Sequence, residues 1–99
     1  MNVAITGKHI DVGDALRKHV TDRLDEGVRK YFADPIEAHV TFSHEGLLYR
    51  AHVSLHVGRG LMMEASADAA GIYESFNAAA EHVEKQARRR KRKVRNKHV

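Results

Sequence analysis

Cysteine is absent from the 99-residue sequence. That removes disulfides, zinc–thiolate sites and cysteine nucleophiles together, and it fits a reducing compartment. No apolar run approaches the roughly 20 residues that a membrane span requires. The opening Met1-Asn-Val-Ala-Ile-Thr-Gly7 lacks the charged start and long apolar stretch of a signal peptide. A soluble protein of the cytoplasm is the expectation. No glycine-rich elbow presents a nucleophile. Gly58-Arg59-Gly60 is not followed by a helix start, so it is not a phosphate loop. A chain of this length fits one domain with one modest core and has little room for a deep catalytic cleft. These absences point away from an enzyme and away from any cofactor.

What is present is charge, unevenly placed. The formal net charge is +4, and 42% of residues are hydrophobic. From Glu81 to Val99 nine Lys/Arg face two acids, a net of +7. Residues 1–80 hold eight basic and eleven acidic groups, a net of −3. A mildly acidic body with one strongly basic end predicts a polyanionic partner, either nucleic acid or an acidic membrane surface.

The hydrophobic pattern predicts β-α-β-β-β-α. Asn2–Thr6 alternates, with Val3 and Ile5 on one side, and Gly7 ends it. A helix start follows at Asp11-Val-Gly-Asp14, where Asp or Gly can cap and Asp14 suits the positive end of the dipole. Leu16, Val20, Leu24, Val28 and Tyr31 recur at helical spacing over about five turns, with Gly27 on the same stripe. Ala33-Asp34-Pro35 stops the helix.

Two alternating runs come next, Ile36–His44 and Tyr49–Val57. Opposed residues of an antiparallel pair share a face. The register that satisfies both runs opposes Phe42 to Ala51, Val40 to Val53 and Ala38 to Leu55. It leaves Gly46-Leu47 as a loop with Gly first, as a type II′ turn prefers; a four-residue loop keeps the same register. A third run, Leu61–Ala67, returns through Gly58-Arg59-Gly60 with Leu61 opposite Val57. Asp68 is the expected cap of the last helix, whose apolar stripe is Ile72, Phe76, Ala79, Ala80, Val83 and Ala87.

The expected fold is α+β: a four-stranded sheet, its first two strands parallel, with two helices on one face. The other face is polar, bearing His39, His52, His56, Thr41, Ser43, Ser54, Arg50 and Glu64. Three of those histidines, with Glu37 opposite His56, have the donors for zinc. Their spacing matches no metal motif, and alternating polar residues are what an exposed sheet face requires, so no metal site is assigned. Tyr31, Phe32, Phe42, Tyr49 and Phe76 mostly fall at core spacing. The polar face thus has no aromatic platform for single-stranded RNA beyond its histidines. Tyr73 is a boundary residue of the last helix.

The basic end carries the functional signal. At about 100° per residue, Lys85, Arg88, Arg89, Arg92 and Arg95 lie opposite the apolar stripe, with Lys93 at the edge. Beyond Ala87 the inward side holds Arg90, Lys91 and Val94, so the helix leaves the core there. Lys and Arg favour helices, and a few would mark only a solvated face. Nine cations in residues 85–97 repel one another, a cost that a bound polyanion removes. No large apolar residue accompanies them beyond Val94, which argues against a membrane surface. A row of Arg on a rigid helix suits grooves in folded RNA.

These segments resemble the ribosome hibernation promoting factors, also called ribosome-associated inhibitor or sigma-54 modulation proteins. The resemblance rests on Ile5-Thr6-Gly7, on residues 15–24 (Ala15 to Leu24), on Leu55-His-Val57 and Ala65-Ser-Ala67, and on Tyr73, Phe76 and residues 84–92. It runs in order along nearly the whole chain. Two departures stand out: Gly71 where relatives carry an acid, and Ala87 where they carry Leu. The resemblance implies a double-stranded-RNA-binding-domain-like fold, with residues 1–99 as one ribosome-binding domain and 85–99 as its basic extension. It implies binding to the small ribosomal subunit over the messenger RNA and the A- and P-site transfer RNA positions, and inhibition of translation in stress or stationary phase. It makes Arg17, Lys18, Arg23, Lys85, Arg88, Arg89, Lys91, Arg92 and Lys93 candidate 16S rRNA contacts; Arg95 joins them on the phase of the helix. Long members continue into a dimerisation domain that pairs ribosomes, so the chain is either a short-type factor or the first domain of a long one. The alternative function is a generic binder or chaperone of structured RNA.

Overall fold

The computed structural model describes residues 1–32, 36–58 and 60–96, and side chains as far as residue 90. The expected helix stop at Ala33-Asp34-Pro35, and Arg59, lie outside the described residues. The elements follow the anticipated order: β1 (Asn2–Gly7), α1 (Asp14–Arg29), β2 (Ile36–Glu45), β3 (Leu48–Val57), β4 (Leu61–Ala69) and α2 (Ile72–Asn96).

Alternation fixes the sheet. Its strand order is β1-β2-β3-β4, with β1 parallel to β2 and the other pairs antiparallel. Phe42 faces Ala51, Val40 faces Val53 and Ala38 faces Leu55, the register that keeps the buried apolar side chains of both strands on one face. The hairpin closes between Glu45 and Leu48, so the loop is Gly46-Leu47. Gly46 has φ 63° while Leu47 does not enter positive φ, the combination a type II′ turn demands.

The helices cover the apolar face. Leu16, Val20, Leu24 and Val28 of α1, with Phe76, Ala79, Ala80, Val83 and Ala87 of α2, join Phe42, Val53, Leu55 and Met63 in one buried core. Alanines at three of these α2 positions let the helix lie close over β3 and β4. Phe76 fills the centre, with its ring 6.3 Å from that of Phe42. Burial of a side chain this large is worth about 1.5–3 kcal/mol before packing is counted.

Helix α1 is shorter than the five turns expected. It spans 16 residues, starts without a side-chain cap at Gly13 and ends at Arg29. Tyr31 and Phe32 leave the helical spiral but still pack against the core.

The largest correction concerns Asp68. It does not cap the last helix: β4 continues to Ala69, and Asp68 sits opposite Arg50. Its carboxylate accepts hydrogen bonds from Arg50 Nε at 2.7 Å and Nη2 at 3.1 Å. A two-pronged charge-assisted pair outcompetes a single cap bond, and Ala67 and Ala69 carry the strand alternation on. Helix α2 therefore starts three residues after β4 ends, and Ser75 N–H bonds the Gly71 carbonyl at 3.0 Å.

The opposite sheet face is polar, as anticipated. Glu37 faces His56, but His39 faces Ser54, and His52 Nδ1 lies 2.6 Å from Ser66 Oγ. Among the described residues no three His, Asp or Glu groups are close enough to hold a metal ion. Among the same residues no helix is long and apolar enough to cross a membrane.

Candidate nucleic-acid interface

The interface begins where the core ends. Ala87 is the last buried position of α2 along its described side chains. From Arg88 the helix runs on to Asn96, roughly 13 Å further at 1.5 Å per residue. Arg88, Arg89 and Arg90 are all exposed, and among the described residues none makes an ion pair. Lys85 is also exposed and reaches Glu81 at 3.4 Å. The side chains of Lys91, Arg92, Lys93 and Arg95 lie outside the described residues; their backbone continues α2.

The candidate residues on α1 are placed differently. Arg17 Nε donates to the Val12 carbonyl at 3.2 Å. Lys18 donates to Asp22 at 2.9 Å, and that bond, with the charge behind it, raises the lysine pKa. Arg23 is turned towards α2. Its Nε and Nη2 donate to the two Glu84 carboxylate oxygens at 2.9 and 3.2 Å. The pair is partly sheltered, with side chains 33% and 22% exposed. The hydrogen bond to Glu84 raises the Arg23 pKa against the opposing effect of burial, so the guanidinium is firmly held as a cation.

Among the described residues, Arg23 and Glu84 form one of two polar ties between the helices. The other joins His19 Nε2 and Asn77 Oδ1 at 2.7 Å, with the His19 ring edge-on to Tyr73 and Phe76. Tyr73 is thus a boundary residue, 39% exposed. Beside the Arg23 tie a groove of about 190 Å³ is lined by Lys30, Tyr31, Glu81, Glu84, Lys85 and Arg88. Lys30 stands 5.6 Å over the Tyr31 ring. Sequence reasoning did not single out Lys30 as a functional cation or Glu84 as a tie. The signal for Glu84 was present in Gly27, a glycine on a buried stripe. A Cβ there would run into the Glu84 carboxylate.

Chemically the site offers exposed guanidinium groups on one helix. Such groups hold phosphates by charge and by paired N–H donors.

The class is defined by fold. A four-stranded sheet with two helices on one face is also the fold of the N-terminal domain of Thermus thermophilus Protein Y. The two superpose with a TM-score of 0.82, covering 90% of this chain and 98% of that one at 24% identity. A ribosomal subunit interface protein from Coxiella burnetii superposes with a TM-score of 0.78, covering 92% and 98% at 21% identity.

The sequence narrows the class to a family. The chain belongs to the family described as Sigma 54 modulation protein / S30EA ribosomal protein, whose model matches residues 3–95. Two curated relatives carry the name ribosome hibernation promotion factor. The one from Rhizobium meliloti is 34% identical over 98 residues, which is 99% of this chain and 52% of the relative. The one from Bradyrhizobium diazoefficiens is 36% identical over 96 residues, 97% of this chain and 47% of the relative. The chain spans about half the length of the curated relatives it matches.

Proposed function

We propose that this chain is a ribosome-binding, non-enzymatic hibernation module of the cytoplasm. In this reading the basic face of α2 docks on 16S rRNA of the small subunit. The body then occupies the messenger RNA and A- and P-site transfer RNA positions, and translation stops under stress or in stationary phase. The observation that carries it is the set of exposed arginines, Arg88, Arg89 and Arg90, without an ion pair among the described residues, late in a helix anchored in a domain whose relatives are named for ribosome hibernation. Lys85 is exposed beside them, and Lys91, Arg92, Lys93 and Arg95 add positive charge further along the same helix. Arg17 and Lys18, exposed on α1, add weaker contacts.

Phosphate neutralisation releases counterions, so binding is tight at low salt and falls steeply as salt rises. The test is co-sedimentation with small subunits in low-salt magnesium buffer, together with a filter assay for initiator transfer RNA. The protein is expected in the ribosomal pellet, with transfer RNA binding lost. Absence from the pellet and unimpaired transfer RNA binding at micromolar protein would contradict the proposal.

A further inference from the structure

Glu84 sits within the basic end of α2, one helical turn before Arg88. A glutamate four residues ahead of a cation on a helix is the favourable order for an ion pair. The neighbouring residues adopt that pairing: Glu81 reaches Lys85 at 3.4 Å. Glu84 and Arg88 have the same spacing and order, and both line the groove beside Tyr31. Glu84 nevertheless turns to α1 and gives both carboxylate oxygens to Arg23. Gly27 makes room for this, since any Cβ at that position would collide with the carboxylate.

We propose that Arg23 is a positioning residue that holds the Glu84 carboxylate away from Arg88 and so keeps Arg88 open for a phosphate. The resemblance offered Arg23 as a direct RNA contact. Its two-pronged engagement with Glu84, half sheltered between the helices, assigns it this indirect part instead. Lose Arg23, and Glu84 has a cation one turn away to pair with. Arg88 then spends its charge within the helix, and the basic face loses a contact at its inner end, where the helix is best anchored.

This inference rests on the reading that α2 binds RNA phosphates, so the experiment uses two probes: purified small ribosomal subunits, and heparin as a polyanion without ribosomal shape. Affinity is measured against salt for wild type, R23A and R23A/E84Q, each with Arg88 intact and with R88A. With Arg88 intact, R23A is expected to weaken binding roughly fivefold and to flatten the salt slope by about 0.7–0.9, one phosphate contact. Adding E84Q restores both. In the R88A background neither R23A nor E84Q shifts affinity by more than about twofold, because the residue they act through is gone.

Failure of E84Q to rescue R23A overturns the proposal and makes Arg23 a direct contact. An equal gain from E84Q in both backgrounds also overturns it, since general repulsion then explains everything. An unaltered affinity in R23A does the same. Melting curves are recorded for each variant. Should R23A melt below the assay temperature, G27A displaces Glu84 while keeping Arg23, and its loss must likewise be rescued by E84Q and depend on Arg88. The expected pattern on heparin with no binding to subunits contradicts the ribosome reading alone. Tight subunit binding without the rescue contradicts the Arg23 proposal alone.

Discussion

The two helices carry equal numbers of described cations and use them in opposite ways. On α1 these are Arg17, Lys18, Arg23 and Arg29, and each is engaged: by the Val12 carbonyl, Asp22, Glu84 and Asp25. On α2 they are Lys85, Arg88, Arg89 and Arg90, and among the described residues only Lys85 has an ion pair. One helix pairs three of its four cations with carboxylates and packs. The other packs as far as Ala87 and then leaves its charge open. Surface ion pairs of the α1 kind contribute little to stability, a median of about 0–1 kcal/mol. Their larger effect is to mask cations from an outside polyanion, so the partner is expected to be held mainly by α2.

The comparison breaks first if the anchored half of α2 is loosened. Phe76→Ala removes the central ring under the sheet and is expected to cost about 3–5 kcal/mol, seen as a fall in the melting temperature. Ribosome binding should be lost with folding and not before it. The comparison is sharpest between two triple variants. Arg88→Ala/Arg89→Ala/Arg92→Ala should weaken subunit binding by roughly a hundredfold or more and flatten the salt slope by about 2–3, with melting unaltered. Arg17→Ala/Lys18→Ala/Arg29→Ala, with the same charge removed, should weaken binding by less than about tenfold in the same salt titration. Equal losses from the two triples would dissolve the distinction.

A smaller effect is expected from Gly27→Ala. The alanine gains roughly 1 kcal/mol of helix propensity, which offsets the broken Arg23–Glu84 pair in a denaturant titration. Binding should still fall about fivefold, a loss in function without a loss in stability. The smallest effect lies far from α2. The hydrogen bond from Arg50, helped by its charge, holds the Asp68 carboxyl below the usual carboxylate range. A group lowered in the folded state adds stability above its unfolded value, about 3.9, and that stability goes as pH falls through the folded value. Below about pH 4 the wild type should therefore lose melting temperature slightly faster than Asp68→Asn. The difference should shrink in salt, because the pair is exposed.

The sheet was legible because its constraints are local and strict. Period-two alternation in β2 and β3 admits only even loops, and Gly46 then places the turn. The stripe from Phe76 to Ala87 was equally plain, since one missed position would put a charge in the core. Asp68 was misread because two local rules competed. It stands where a cap would stand, and only its cross-strand neighbour Arg50, 18 residues earlier, decides the matter. The tie between Arg23 and Glu84 spans 61 residues. No periodicity encodes such a pair, although the glycine that accommodates it was visible on the α1 stripe. The open face of α2 was read from phase alone, and the exposure of Lys85, Arg88 and Arg89 agrees with it.

The most direct test of the account is competition. Labelled protein is bound to small ribosomal subunits and challenged with excess naked duplex RNA, for wild type and for Arg88→Ala/Arg89→Ala/Arg92→Ala. The expected result is wild-type protein retained on subunits against the duplex and triple variant displaced or never bound. A variant that binds and resists competition as well as wild type would show that the open face of α2 is not the site.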